Sequence, residues 1–462
     1  MFYYQYKEGL LFASEIKTLL ASRVVKPQID EQGLNEIFFL GPARTPSNGI
    51  FKGVCELNAG EFAYYKSGKL TLKKYFTIDA KEHTDNEAQT IEKTRYLLTD
   101  AIKRQLITDV PICFFLSGGL DSSIIVKTAS EHFKEHKQGK ITTYSVEYRD
   151  NKKYFEKSLF QPNADYEYIS LMSKDADTNH NEIILENKQL VSALYDSVKA
   201  RDLPGYVDVD SSLLLFCKEI KKHYTVALSG ECADELFGGY PWYHNKEILF
   251  EDCFPWSRSQ DIRRFILKNG VLKNGEEYVR QRYLDTINLA PKLKTDSKID
   301  KRMREMFFLN FYWFMQCLLE RKDRCSMYNG LEVRVPFCDY RLVEYAYNMP
   351  WNLKAYGNRE KGIVRKAFED ILPNGICWRK KSPYPKTHNP IYFNECAKKV
   401  EEILTKKTAL NEMLNKDAIK TIIESPEKIT TPWYGQLMKA PQILAYIIEL
   451  DYWFETYKVE IV

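Results

Sequence analysis

The ten residues Phe114-Phe115-Leu116-Ser117-Gly118-Gly119-Leu120-Asp121-Ser122-Ser123 decide the predicted fold. An apolar strand, predicted over Ile112 to Leu116, ends in a turn of small residues, and a helix begins at about Ser122. Glycines in such a turn let the backbone approach a ligand, and the free N–H groups and dipole of the helix start attract an anion. The string therefore predicts a phosphate-binding loop. The alternative interpretation is an ordinary helix start capped by serine and aspartate.

The loop differs from a Walker-A loop, which would carry Gly-Lys-Ser/Thr at this place. Asp121 is an anion and cannot bind phosphate directly, but its carboxylate can hold a Mg²⁺ that bridges phosphate oxygens. The predicted nucleotide-binding residues of this loop are Leu116, Ser117, Gly118, Gly119, Asp121, Ser122 and Ser123.

A second string, Ser229-Gly230-Glu231-Cys232-Ala233-Asp234-Glu235-Leu236-Phe237-Gly238-Gly239-Tyr240, follows the predicted strand Thr225 to Leu228. It places three carboxylates between glycine turns. Because parallel strands end at the same edge of a sheet, where ligands bind, we expect these acids to face the first loop. The alternative interpretation is a purely structural one, in which the string is an acidic loop that caps a helix.

Strands alternate with helices through the middle of the chain, which predicts an α/β fold with a parallel sheet and helices on its faces. A further strand is predicted over Ile141 to Val146, and a helix over Leu213 to Lys221. From about Ser259 the pattern becomes mainly helical. Its amphipathic stretches are Lys301 to Leu319, Lys361 to Leu372 and Ala440 to Phe454.

The first 78 residues are rich in aromatic and β-branched residues and predict two hairpins, one turning at Glu8-Gly9 and one at Ser67-Gly68-Lys69. So short a β-rich layer needs a neighbour to cover its apolar face. A polar stretch then precedes a helix predicted from Ile91. We therefore predict a β-rich segment over residues 1–78, a linker over residues 79–90 and a large domain over residues 91–462.

Composition excludes several classes of protein. The 462 residues carry 67 Lys and Arg against 63 Asp and Glu, without the basic excess typical of a nucleic-acid binder or of binding to an anionic membrane surface. The longest apolar run, Phe307 to Leu319, is too short to span a bilayer and predicts a buried helix. Met1 to Gly9 lacks the apolar stretch of a signal peptide, so the predicted location is cytoplasmic. Ten scattered cysteines without a Cys-x-x-Cys or zinc pattern predict reduced, mostly buried thiols.

The first string resembles the ATP-pyrophosphatase loop of enzymes that cleave ATP to AMP and pyrophosphate. Together with the second string it resembles the asparagine synthetase family, and the resemblance extends over nearly all of residues 90 to 455. It implies that the substrates are ATP, aspartate and ammonia or glutamine, and that Asp121 and Asp234 hold Mg²⁺. Glu231 would be the base for the attacking ammonia. Ser229 and Gly230 would contact the nucleotide.

Further matches to the family assign roles to other positions. Val146, on the strand that includes Thr142 to Val146, would contact adenine. Lys381, in Trp378-Arg379-Lys380-Lys381-Ser382-Pro383, would be the catalytic lysine that stabilises the pyrophosphate leaving group. Asp208 to Ser212 is either part of the aspartate pocket or a plain helix cap. The family more often has glycine where this chain has Cys232, whose thiol could crowd the proposed base.

Two charged segments and one pair of charged residues have more than one interpretation. Two segments, Glu320 to Met327 and Leu331 to Asp339, resemble an internal signature of the family. Their charged residues are interpreted first as an ion-pair scaffold and second as direct substrate contacts. Lys361 and Arg365, one helical turn apart, are interpreted first as a solvated helix surface and second as a source of positive potential in the cleft.

The front of the chain, through Phe12 to Leu20 and Leu57 to Glu61, resembles the last third of the family's N-terminal glutaminase domain, an Ntn-type fold. Phe2 stands near the start, where the family has a processed cysteine. Either the sequence is a fragment of a longer chain, or the protein uses ammonia from solution or from a separate glutaminase partner; the chain as given is expected to use ammonia rather than glutamine. A homodimer, a related synthetase for another carboxylic acid and an inactive ATP-binding partner subunit remain open alternatives.

Overall fold

Strands and helices alternate through the middle of the chain, and helices dominate after about Ser259, as predicted. A computed structural model describes residues 1–155, 165–382, 384, 386–435 and 437–462. Pro383, in the predicted lysine loop, lies outside the described residues. The strands are β1 (Phe2–Tyr6), β2 (Gly9–Ala13), β3 (Gln28–Ile29), β4 (Cys55–Glu56), β5 (Glu61–Lys66), β6 (Lys69–Lys74), β7 (Ile112–Phe115), β8 (Thr142–Tyr148), β9 (Asn179–Leu185), β10 (Val226–Leu228), β11 (Glu332–Arg334) and β12 (Glu460–Ile461).

The helices become denser towards the end of the chain. They are α1 (Ile16–Ala21), α2 (Glu31–Asn35), α3 (Glu87–Gln105), α4 (Leu120–Glu135), α5 (Asn151–Tyr154), α6 (Tyr166–Asp175), α7 (Asn187–Arg201), α8 (Asp208–Lys221), α9 (Ala233–Phe237), α10 (Lys246–Leu249), α11 (Asp261–Phe265), α12 (Gly275–Leu289), α13 (Lys298–Leu309), α14 (Gln316–Met327), α15 (Tyr340–Asn348), α16 (Trp351–Lys354), α17 (Gly362–Phe368), α18 (Asn374–Cys377), α19 (Pro390–Leu404), α20 (Ala409–Met413), α21 (Lys416–Glu424) and α22 (Ala440–Thr456), with π-helical turns at Glu36–Leu40 and Asn310–Met315.

A five-stranded sheet in the order β11–β10–β7–β8–β9 forms the centre of the large domain. Its neighbouring strands are all parallel, which confirms the predicted sheet. The chain runs outward from β7 through β8 to β9, and then returns to the other side of β7 as β10 and β11. The strand order therefore reverses between β7 and β10, and this reversal is where open α/β sheets bind ligands.

Helix α3 begins earlier than the sequence pattern predicted. The predicted start was Ile91, but Asn86 and Gln89 form a capping box, in which each side chain accepts the other residue's backbone N–H. These two bonds satisfy free N–H groups of the first turn, so the helix begins at Glu87. Its N-terminal turn thus occupies the end of the predicted linker.

Residues 1–78 form the two predicted hairpins and share a hydrophobic core with the C-terminal helices. In that core the Phe51 ring lies 5.4 Å from the Trp453 ring of α22. The Tyr446 hydroxyl, also in α22, donates to the Ile37 carbonyl at 2.8 Å. Strand β12 pairs in parallel with β3. The prediction that this thin layer needs a neighbour is confirmed, and α22 is that neighbour.

One pair of cysteines corrects the prediction of ten reduced thiols. Cys232 and Cys338 are joined by a disulfide, with their Cα atoms 6.0 Å apart. The remaining cysteines are free and mostly buried, as predicted. The two bonded residues are 106 positions apart in sequence, and only the fold brings the start of α9 next to the residues before α15. Spacing along the chain therefore gave no signal for this pair.

No helix among the described residues combines the length and the apolar composition that a bilayer crossing requires. The apolar run Phe307 to Leu319 is helical and mostly buried, passing from α13 through the π-helical turn into α14. This confirms the predicted buried helix.

A buried chain of charges connects residues 1–78 to the large domain. The Arg44 guanidinium contacts Glu56 at 2.7 Å and Glu320 at 2.8 Å, and Arg201 lies 3.9 Å from Glu320. Burial would raise the pKa of Glu320, but Arg44 and Arg201 outweigh it and lower this pKa to about 2. For Glu320, the interpretation as an ion-pair scaffold is confirmed.

Replacing Arg44 by methionine should lower the free energy of unfolding by about 3–5 kcal/mol, because it leaves the Glu320 carboxylate buried with only a distant partner. Denaturant unfolding measures this. The matched control is Arg95→Met, which removes an exposed pair with Asp370 at 2.8 Å and should cost less than about 1 kcal/mol. Equal losses in the two variants would contradict a special role for the buried network.

Candidate active site

The two predicted loops meet where the strand order reverses. The first follows β7 and the second follows β10, and these strands pair directly. A Cβ atom added to Gly230 would lie 2.9 Å from the Asp121 Cβ and 2.9 Å from the Ser122 nitrogen. Such distances are shorter than van der Waals contact, so only glycine lets the loops approach this closely.

The first loop is held by its own serines and glycines. Gly118 has a φ of +68°, and a Cβ there would lie 2.7 Å from the Ile169 nitrogen, so this turn requires glycine. The Ser122 hydroxyl accepts from the Ser117 N–H at 3.2 Å and contacts the Ser117 hydroxyl at 3.0 Å. These contacts fold the turn back on the start of α4, as a phosphate-binding loop requires.

A cavity of about 360 Å³ lies in front of these loops, within the range of roughly 300–1,000 Å³ that small-molecule sites occupy. Its walls include every predicted site residue except three: Gly118, Gly119 and Ser123. Gly118 and Gly119 shape the turn, and the Ser123 side chain is buried behind it. The predicted residues that line the cavity are Leu116, Ser117, Asp121, Ser122, Val146, Ser229, Gly230, Glu231, Asp234 and Lys381.

Asp121 and Asp234 share a single cation, which is Lys361. The Lys361 Nζ atom lies 2.6 Å from Asp121 Oδ2 and 2.7 Å from Asp234 Oδ1. Lys381, from the loop after α18, bonds the other oxygen of Asp234. Its ammonium group also lies 4.6 Å from the centre of the Tyr240 ring. Two carboxylates and two ammonium groups therefore alternate across the mouth of the loops.

Burial and mutual contact set the charges of this cluster. Burial raises the pKa of Asp121; the Lys361 ammonium opposes the rise and the Asp234 charge adds to it. For Asp234, burial alone would raise the pKa, but Lys361 and Lys381 hold it below its ordinary value. Burial would lower the pKa of Lys361, yet the two carboxylates raise it. Asp234 and Lys361 are therefore a firmly ionised pair, and Asp121 is the carboxyl that an added cation would ionise further.

The cluster fits a divalent cation in its donor atoms. The Asp121 Oδ1 atom is buried and accepts no hydrogen bond from the described residues. Carboxylate oxygens are the donors that Mg²⁺ prefers, and two carboxylates already converge here on one positive charge. A metal ion can therefore replace the Lys361 ammonium between Asp121 and Asp234, because the two carboxylates already converge on one position.

The role of Lys361 corrects the interpretation of this residue and Arg365 as a solvated helix surface. The two residues are only 3% and 1% exposed. Lys361 precedes α17 in a left-handed conformation, which turns its side chain to the acids instead of along the helix face. Arg365 donates to the backbone carbonyls of Cys377 and Arg379, at 2.6 Å and 2.8 Å, and so fixes the start of the Lys381 loop.

Glu231 is clamped between two cations on α14. Its Oε1 atom lies 3.0 Å from Arg321 Nη2, and its Oε2 atom lies 2.5 Å from Lys322 Nζ. Lys322 also donates to the Ser229 hydroxyl at 2.7 Å. Arg321 and Lys322 of the signature Glu320 to Met327 thus act as ion-pair partners, as the first interpretation predicted, and they also line the cavity.

Cys232 does not crowd Glu231 as its position in the sequence suggested, because its sulfur is bonded to Cys338. Its backbone has a φ of +76°, a conformation that favours glycine. The glycine that the family more often has here therefore suits the backbone.

Asp208 does not cap helix α8, which corrects one of its two interpretations. Its side chain makes no capping bond; it accepts from the Gln442 amide at 3.0 Å and lines the cavity. Burial raises its pKa to about 6. The second acid of this stretch, Asp210, is fully buried and pairs with Arg201 at 2.8 Å. This stretch therefore contributes one buried carboxyl group, that of Asp208, to the cavity wall.

Comparison with known proteins shows which family models and relatives the sequence matches. A family model for asparagine synthase matches residues 93–455, and a model for a glutamine amidotransferase domain matches residues 1–76. Asparagine synthetase [glutamine-hydrolyzing] 3 of Bacillus subtilis (strain 168) is 46% identical over 464 residues, which cover 100% of this chain and 75% of the relative.

More distant relatives carry the same description. Asparagine synthetase [glutamine-hydrolyzing] 1 of Bacillus subtilis (strain 168) is 28% identical, over 92% of this chain and 69% of its own length. Asparagine synthetase [glutamine-hydrolyzing] of Bos taurus is 24% identical, over 64% of this chain and 44% of its own length.

Proposed function

The chain belongs to the asparagine synthase family, and we propose on that basis that it converts aspartate to asparagine with ATP, releasing AMP and pyrophosphate. The observation that carries the proposal is the convergence of Asp121 and Asp234 on one cation between two strand-ending loops. Such a site grips a nucleotide through its phosphates and a metal. The cavity next to it also holds a separate acid, Glu231, for a second chemical step.

We propose that Asp121 and Asp234 hold Mg²⁺. When bound, the ion would neutralise phosphate charge and polarise the phosphoryl group under attack. The loop from Leu116 to Ser123 would bind the phosphates through its backbone, and Ser229 and Gly230 would contact the nucleotide from the facing loop. Val146, on the cavity wall at the end of β8, would contact adenine.

In the first step, the β-carboxylate of aspartate would attack the α-phosphorus of ATP. The bond to pyrophosphate breaks, and the product is β-aspartyl-AMP. Lys381 and Lys361 lie where negative charge grows on the leaving group, so their ammonium groups would stabilise it. Both lysines exchange their present partners, the two aspartates, for phosphate oxygens in this scheme.

In the second step, ammonia would attack the acyl carbon and displace AMP. The attacking nitrogen must lose a proton, and Glu231 would accept it. Arg321 and Lys322 keep this carboxylate in place. The clamp therefore positions the base.

The experiment that tests this function is aspartate-dependent exchange of labelled pyrophosphate into ATP, followed by mass spectrometry of the product. Exchange with aspartate and formation of asparagine are expected. Exchange with another carboxylic acid only would assign the chain to a related amide-forming synthetase. Nucleotide binding without exchange would make it an inactive partner subunit.

We propose that residues 1–78 correspond to the C-terminal portion of a glutaminase domain, that residues 79–90 are a linker and that residues 91–462 form the synthetase domain. With ammonium as donor, this chain should make asparagine at a measurable rate; with glutamine, it should make at least about tenfold less, because a glutaminase needs its own activated nucleophile. Asparagine formation with each donor is the measurement. Equal rates would contradict the assignment of residues 1–78.

A cytoplasmic location and ammonia supply by a separate glutaminase partner, or a homodimer, belong to the same proposal. The joined pair Cys232 and Cys338 is unusual for a reducing compartment, where thiols stay reduced. In this proposal the pair is a local exception in a chain whose remaining cysteines are free thiols.

A further inference from the structure

A second cavity, of about 320 Å³, shares none of its described lining residues with the cavity at the two loops. Its walls come from α13, from the end of α15, from the short helix α16 and from Glu82 and His83 of the proposed linker. It reaches Gly238, four positions after Asp234, where the Trp351 ring presses on the glycine: an added Cβ would lie 2.5 Å from that ring. The cavity therefore lies beside the acidic string of the active site without opening into it.

A buried amine faces this cavity without a polar partner. Lys354 is 6% exposed, and its Nζ atom lies 4.3 Å from the centre of the Phe307 ring. That nitrogen makes neither an ion pair nor a hydrogen bond with any part of the chain that the structure describes. Burying an amine in this way is unfavourable, and such groups in native proteins normally meet an anion or a hydrogen-bond acceptor. The partner of Lys354 is thus expected to come from outside the chain.

The other positive group of the cavity is already neutralised. The Arg304 guanidinium contacts Asp296 at 2.9 Å and donates to the side-chain amide oxygen of Asn348 at 3.0 Å. Two more acids, Glu82 and Asp300, lie in the walls. A dianion such as phosphate would face these acids with one free amine, so the charge balance favours a monoanion.

The apolar walls define the rest of the ligand. Phe307, Tyr347 and Trp351 contribute rings to the cavity. Small-molecule sites combine such apolar walls with a few polar groups that fix orientation. A flat or branched apolar body attached to one acidic group matches this lining.

We propose that this cavity is a second ligand site, for a small monocarboxylate with an apolar body, and that Lys354 receives the carboxylate. The ligand lies against Trp351, which contacts Gly238 in the string that carries Asp234. The site does not depend on the proposed asparagine synthesis, since none of its described lining residues lines the cavity at the two loops.

Binding to this site is coupled to a proton. Burial, together with the Arg304 charge, holds the pKa of Lys354 well below its ordinary value. The carboxyl and imidazole groups that face the cavity are Glu82, His83, Asp296 and Asp300, and burial lowers the pKa of His83. Tyr243 and Tyr347 also face it, and burial raises the pKa of both. A bound carboxylate favours the ammonium form of Lys354, so binding at neutral pH takes up a proton. Calorimetry in two buffers of different ionisation enthalpy measures that uptake.

The test uses the full chain with 4-fluorobenzoate, observed by fluorine NMR. Saturable broadening of the fluorine signal is expected, and Lys354→Met should raise the Kd at least about tenfold. Methionine keeps the length and removes the amine, and it relieves the burial of a polar group, so the variant should melt no lower than the parent chain. The matched control is Lys301→Met, on the exposed face of α13, which should change the Kd less than about twofold.

Two further measurements distinguish this site from other binding sites of the chain. The neutral probe 4-fluorobenzamide should bind at least about tenfold more weakly, and saturating Mg-ATP should not displace the benzoate. Displacement by ATP, equal effects of the two lysine variants, or tighter binding of inorganic phosphate than of acetate would each overturn the proposal. Absence of benzoate binding up to about 10 mM would overturn it as well.

Discussion

Replacing Asp234 by asparagine should lower AMP formation by about a hundredfold to a thousandfold. The carboxylate is the shared partner of Lys361 and Lys381 and a proposed magnesium ligand, so its loss leaves two ammonium groups with one acid. Breaking such a buried pair costs about 3–5 kcal/mol, and each 1.4 kcal/mol lost from the transition state is about tenfold in rate. The measurement is the initial rate of AMP and pyrophosphate release with saturating aspartate and ammonium.

Asparagine has nearly the same size as aspartate, which matters because Gly239 leaves no spare room: an added Cβ there would lie 1.8 Å from Asp234 Oδ1. The matched control is Asp252→Asn, which changes an exposed acid and should retain full activity. Raising the magnesium concentration should recover part of the rate in Asp234→Asn if that residue is a metal ligand. A variant with near-normal AMP formation would contradict the proposed site.

Replacing Glu231 by glutamine should separate the two proposed steps. Asparagine formation is expected to fall by about 10²–10⁴-fold, the usual contribution of a general base, while aspartate-dependent pyrophosphate release should fall less than about tenfold. The reason is that Glu231 contacts neither the phosphate-binding loop nor Lys361 and Lys381, and in the proposal it acts only on the attacking nitrogen. Quenched-flow measurement of pyrophosphate and asparagine from the same reaction gives both rates.

Glu235→Gln is the matched control for this separation. Glu235 is a neighbouring buried carboxyl whose pKa burial raises to about 7, and the Tyr240 hydroxyl donates to it at 2.5 Å. Glutamine can accept the same bond, so the two rates should change together in that variant. If Glu231→Gln lowers both rates equally, the residue has a structural role and the proposed base lies elsewhere.

The loops of the site were predictable because their information is local. Glycine at 118 and 230, hydroxyls near a helix start and acids after an apolar strand each follow from the chemistry of a single turn. The alternation of strands and helices then brings the turns after β7 and β10 to one sheet edge. This reasoning reached Asp121 and the three acids of the second string, and the resemblance to the family selected Asp234 among them.

What the sequence did not predict depends on contacts between distant segments. Lys361 was expected on a solvated surface because it stands one helical turn from Arg365, and only the packing of the chain around α17 buries it between two acids. The pairing of Cys232 with Cys338 lacks a sequence pattern for the same reason. Strand β9 was missed because its residues Asn179 to Glu182 are polar, which an edge strand tolerates because it pairs on one side only.

The shared core of residues 1–78 and α22 has a consequence for how the molecule loses its structure. Phe51 and Trp453 lie in contact, and the strand after α22 completes a ladder with Gln28 and Ile29. Neither partner can detach without exposing a large apolar area to water. The two regions that different family models match therefore do not unfold separately. With heat or denaturant we expect them to unfold together in one cooperative transition.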